Sequence, residues 1–193
     1  RGERVMSRHD DPSDFDHRWL DTLTAKHRAV FDTQVLGEGV PLARTANFFA
    51  ACRDGYGAGP RDMQVALALH ASPMVIAFND AAWEKYAFGE RSRATDPRTG
   101  KPATRNIFAS EAEGDPYAAI AVPALQRQGA ILLFCNNVMR NLASSLARRR
   151  NETVDVTRAD LIASFLPGVV LVPAVVAATA MAQERGCAYE LIK

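Results

Sequence analysis

Cys135 is the residue whose type and setting best suit covalent chemistry. It closes the apolar run 130–134 (AILLF) and is followed by Asn136, Asn137 and a stretch with helical apolar spacing at Val138, Leu142, Ser145 and Leu146. A cysteine where a buried strand gives way to a helix meets unpaired N–H groups and the positive end of the helix dipole. Both favour a thiolate over a thiol. The thiolate is the form that attacks sulfur or carries a persulfide. Asn136 and Asn137 add amide donors beside it. The competing reading is that Cys135 is packed, because an isolated cysteine at a strand end also behaves as a small core residue.

His70 offers a second reactive type. It follows the apolar run 63–69 (MQVALAL) and precedes Ala71, Ser72 and Pro73. A histidine there can act as a base or orient a thiolate. Equally, its ring can bond the backbone of the 72–73 turn. Asn79 and Asp80 come next, as candidate ligand-contacting groups, with Asp80 a possible acid–base partner of His70. The plainer reading of Asp80 is a solvated carboxylate on a helix. Trp83 and Tyr86 read as core or subunit interface. Cys52, mid-helix on an apolar face, and Cys187, at the start of a terminal strand, read as core. Arg148 to Arg150 end a helix, where cations complement the dipole; the other reading is an anion site. Three cysteines and four scattered histidines, with no CxxC and no zinc-type spacing, lead us to expect neither a disulfide framework nor a metal site. No cofactor-binding motif is present.

These groups need elements to hold them. Residues 1–14 read as a flexible polar arm, and 15–193 as a single domain. The spacing of Phe15, Trp19, Leu20 and Leu23 predicts a short helix. Residues 29–31 suggest a short strand. Pro41 opens a helix that ends at the glycines of 55–59. The run 63–69 is a buried strand, followed by a helix over 74–86. Residues 89–117 are rich in Gly, Pro, Ser, Thr and charge, and predict an inserted loop long enough to be a lid or binding loop. A two-turn helix beginning at Pro123 leads to the strand 130–135. Then come a helix, a further helix capped by Thr157, the strand 169–172, a helix opened by Pro173, and a last strand over 187–192. Strands alternating with helices predict an α/β fold with a parallel sheet and right-handed crossovers. In such sheets ligands bind beyond the carboxyl ends of the strands. His70 and Cys135 share that rim if their strands are neighbours.

The 193 residues suit one core, and 48% hydrophobic with 23% charged residues is ordinary for a globular domain. A net charge of +1 gives no electrostatic case for nucleic acid. No apolar run reaches the roughly 18 residues a membrane helix needs, so a soluble protein without a membrane span is expected. The first residue is Arg1 rather than Met, which fits either a cytoplasmic protein or a periplasmic one whose export leader was removed.

The region 128–193 carries a more specific pattern. A strand ends in Cys135 with Asn137 and Met139 after it. Leu166 to Val169 follow as Leu-Pro-Gly-Val, then Val172 to Ala174 as Val-Pro-Ala, then Gln183, Gly186 and Tyr189. This resembles the DsrE/DsrF-like sulfur-relay family over about a third of the chain. The segments 26–32 (KHRAVFD) and 79–86 (NDAAWEKY) are similar to a larger, often exported subgroup. The resemblance implies a flavodoxin-like three-layer fold of about five strands, assembled as a trimer or hexamer. It also implies a persulfide on Cys135, exchanged with a sulfur donor or acceptor. Two further readings stand beside sulfur transfer: a non-catalytic small-molecule-binding or interaction module, and an enzyme on a small organic substrate using His70 and Asp80.

Overall fold

The computed structural model describes residues 15–193. The expected arm at 1–14 lies outside the described residues. Five strands form one sheet: β1 (His27–Thr33), β2 (Met63–Leu69), β5 (Ala130–Cys135), β6 (Val169–Val172) and β7 (Ala188–Ile192). They lie in the order β6-β5-β2-β1-β7, and every pairing is parallel. Two more short strands, β3 (Thr95–Asp96) and β4 (Lys101–Pro102), form a separate hairpin. β2 and β5 are the central strands and are apolar along almost their whole length, because helices or segments of chain cover both of their faces.

Helices complete the three layers. One face of the sheet carries α1 (Val40–Tyr56), α4 (Val122–Arg127), α5 (Asn136–Arg150) and α6 (Val154–Ala163). Leu42, Phe49, Leu125, Leu142 and Leu161 pack there with Phe31, Leu67 and Phe134 of the strands. The other face carries α7 (Val175–Glu184) and the segment around the short 3-10 turn Arg18–Leu20. Val175, Ala178, Ala182, Trp19 and Leu23 pack there against Val30, Ala68 and Leu133. This is the flavodoxin-like three-layer α/β architecture that the resemblance implied. Counted in chain order, the sheet strands run 4-3-2-1-5, whereas flavodoxin's run 2-1-3-4-5. The reversal in connection therefore falls between β1 and β7.

Several elements differ from the sequence expectation. The helix predicted over 74–86 is two pieces, a 3-10 segment Ser72–Ala77 and α2 (Asp80–Lys85). Phe78 between them is extended and bridges Phe165, and the Asn79 N–H donates to the Ser164 carbonyl, so tertiary pairing interrupts the helix. The helix placed at Thr157 starts earlier. Thr153 caps it by accepting from the Val156 N–H, while Thr157 is buried and donates to Glu152. The predicted helix over 15–23 is only the turn Arg18–Leu20.

The segment 89–117 is a folded wall rather than an open loop. It follows directly on α3 (Phe88–Ser92), which overlaps its start, and it contains the β3–β4 hairpin. A Cβ on Gly89 would lie 2.0 Å from the Ala103 carbonyl oxygen, so only glycine lets the hairpin backbone close on α3. The buried Asn106 amide donates to the Ile76 and Phe78 carbonyls, and Ile107 and Phe108 enter the core. Arg105 bridges Asp96 (2.9 Å) and Asp115 (3.1 Å), and Arg98 also pairs with Asp115 (3.0 Å). Burial works against the Asp96 carboxylate. The Arg98 N–H and the Arg105 guanidinium outweigh it and hold its pKa below the usual value.

Candidate functional site

Parallel pairing brings the predicted reactive residues to one rim. β2 and β5 are in register from Val65 and Ala130 up to Leu69 and Phe134. His70 is the first residue after β2 and Cys135 is the last residue of β5, so both sit at the carboxyl end of neighbouring strands. Side chains alternate along a strand, which puts Cys135 on the face of Val30, Ala68 and Val172.

The structure adds two residues that sequence reading did not name as site candidates. The Asp32 carboxylate, one residue before the end of β1, lies 2.5 Å from His70 Nε2 through Oδ1. Its other oxygen accepts from the Tyr189 hydroxyl of β7 at 2.8 Å. Asp32 thus ties together β7, β1 and β2 where the connection order reverses, the place in an open sheet where ligands gather. The Asp32 contact calls for the proton on Nε2, so in the neutral ring Nδ1 is the accepting nitrogen. His70 and Asp32 keep side-chain exposures of 25% and 20%, so the pair is shielded yet reachable. The hydrogen bond to Asp32 is the chief reason the Tyr189 hydroxyl is held above the ordinary phenol pKa, with burial and the carboxylate charge adding to it. The signals for these two residues were faint. Asp32 is a lone acid near the end of an apolar strand, and Tyr189 closes the 128–193 pattern.

The sequence candidates fall into two groups. His70 and Cys135 are together on the rim. The others point elsewhere. Cys135 is the N-cap of α5, but its side chain makes no capping hydrogen bond. Its sulfur belongs to the apolar cluster with Val172, Val175 and Ala178, and the residue is 5% exposed. Asn136 is buried and its carbonyl oxygen accepts from Arg158 Nη2 at 2.9 Å, so it faces α6 rather than the sulfur. Asn137 is exposed. Asn79 caps α2 by accepting from the Ala82 N–H (3.0 Å). Asp80 accepts from the Asn106 N–H (2.8 Å) and so anchors the insert. The carboxylate that meets His70 is Asp32, not Asp80.

Trp83 and Tyr86 are buried, the indole donating to the Val75 carbonyl and the phenol to Asp160. Cys187 is buried and Cys52 partly so. Beside the rim, the loop that follows His70 is tightly set. Ala71 has φ 51° and ψ −137°, an unfavourable backbone for an L residue, and the Ser72 hydroxyl accepts from the Leu36 N–H at 2.9 Å. This loop and α5 wall a cleft, but Cys135, His70, Asn136 and Asn137 do not line it.

Among the described residues no helix is long and apolar enough to cross a membrane. Comparison with protein-family models and with curated proteins finds no match.

Proposed function

We propose that this protein carries sulfane sulfur as a persulfide on Cys135. The observation that supports the reading most is the chain from Tyr189 to Asp32 to His70, which lies at the same carboxyl end of the sheet as Cys135, on the strand next to it. A nucleophile, a base and a group that orients the base form the usual arrangement for activating a thiol. His70 takes the Cys135 proton on Nδ1. The sulfur anion then attacks the outer sulfur of a donor persulfide. One S–S bond forms on Cys135 as the donor's S–S bond breaks, and the donor leaves as its thiolate. Passing the sulfur to an acceptor thiol is the same exchange in reverse. The resemblance of the 128–193 pattern to the sulfur-relay family adds to this reading and implies assembly into a trimer or hexamer. Val176, Met181 and Tyr189 expose apolar surface on α7 and β7 in keeping with assembly.

The test is the intact mass after incubation with inorganic polysulfide. A gain of about 32 Da, one sulfur atom, that Cys135→Ser removes is the expected result. No adduct, or one that survives Cys135→Ser, overturns it. One observation favours a second reading, a binding module in which Cys135 is only packed: the sulfur sits among apolar side chains and the residue is 5% exposed. Under that reading Cys135 stays inert to iodoacetamide in the folded protein at neutral pH.

A further inference from the structure

A cleft of about 410 Å³ opens between the loop after His70 and the helix after Cys135. That volume falls in the range of small-molecule sites, about 300–1,000 Å³. Met74, Val138 and Leu142 give it an apolar floor, and Arg91 of α3 and Asn141 of α5 stand at its edge. No carboxylate lines it. The Ser72 hydroxyl is engaged by the Leu36 N–H, and the Ser92 hydroxyl donates to the Phe88 carbonyl. The open polar groups are the Arg91 guanidinium, which only donates, and the Asn141 amide, whose nitrogen can donate too.

Arg91 is an exposed cation. What burial its guanidinium has and the like charge of Arg149 both act against its protonated form. Arg149 and Glu90 share a neighbouring hollow with it. Arg91 makes no ion pair among the described residues. A bound anion would offset the Arg149 repulsion. A guanidinium matches a planar carboxylate through two parallel hydrogen bonds. An apolar floor with one such fork at its rim selects for an apolar body ending in one negative group.

We infer that this cleft binds a small organic carboxylate with an apolar body, its carboxylate on Arg91 and its chain on Met74, Val138 and Leu142. The inference is independent of sulfur chemistry at Cys135. Octanoate is the probe, followed by amide NMR shifts on the full chain, with octanol as the uncharged control. The expected result is saturable shifts at Ser72, Val138 and Asn141. Arg91→Gln weakens binding about 10-fold, and octanol binds about 10-fold more weakly than octanoate. Asn141→Trp changes an exposed position, so the fold stays intact while the indole fills the cleft and removes the shifts. Cys135→Ser binds octanoate like the parent chain, whatever becomes of the persulfide reading. Equal binding of octanol and octanoate, no loss in Arg91→Gln, or shifts mapping elsewhere would each overturn it.

Discussion

Cys135 and Cys187 mark opposite ends of one face of the sheet. They belong to the same apolar cluster and are 5% and 6% exposed, so burial does not separate them. Their neighbours do. Cys187 lies just before β7, at the end where strands enter the sheet, and its N–H is tied to the Ala182 carbonyl. Burial pushes its thiol above the ordinary value of 9.0, with Arg28 offsetting only part of the effect. Cys135 lies where strands leave, heads a 15-residue helix and shares that end of the sheet with a histidine held by Asp32. Two cysteines equally hidden from water thus differ in the end of the sheet they occupy.

That contrast can be broken in several ways. The largest expected effect is on native alkylation. At pH 7.5 iodoacetamide labels Cys135 on the order of 1,000-fold faster than Cys187, read by mass spectrometry of the two peptides. Equal rates would erase the distinction. Cys187 labelling rises only above pH 9. By the same linkage, a thiol whose folded pKa is raised stabilises the fold below its unfolded value, and that stability is lost as pH climbs through the folded one.

Next in size is the insert, whose charges are structural. The Asp115 side chain is fully buried between Arg98 and Arg105. Arg105→Ala takes a guanidinium from both Asp96 and Asp115, leaves Asp115 with Arg98 alone, and costs about 3 kcal/mol in urea unfolding, with the labelling ratio of the folded protein unchanged. The depressed Asp96 pKa gives the acid limit. Its contribution is intact above 3.8 and is lost as pH falls through the lower folded value, so the unfolding midpoint drops only below about pH 4.

A smaller effect tests the rim directly. Asp32→Asn frees His70 and slows Cys135 labelling about 10-fold, leaving Cys187 unaffected. A change at both cysteines would point to loosening of the whole face. The smallest effect concerns the loop after His70. Ala71→Gly removes the penalty of a positive φ, and the melting temperature rises by the equivalent of about 0.5 kcal/mol.

Much of this arrangement was legible in the residues. The runs 63–69 and 130–135 announced central parallel strands, because strands covered on both faces read as unbroken apolar stretches. Pro41 and the glycine at 57, a left-handed cap, marked both ends of α1. β1 was harder. His27, Arg28, Asp32 and Thr33 hid all but three of its residues, and one of the hidden four is the partner of His70. Contacts between strands distant in sequence leave no local signal, so Tyr189 and Asp32 could not be joined beforehand. The contacts of Asn79 and Asp80 were hidden for a similar reason. Each is an acceptor for a nearby N–H, and the Asn106 N–H comes from a segment whose composition suggested an open loop.

The most direct test of the central claim needs only the unaltered protein. After brief exposure to a small persulfide donor, the chain is blocked with iodoacetamide and digested, and the added sulfur is located by peptide mass. The account predicts a gain of about 32 Da on the peptide holding Cys135 and none on the peptide holding Cys187. Sulfur on Cys187, or shared evenly between the two, would contradict it.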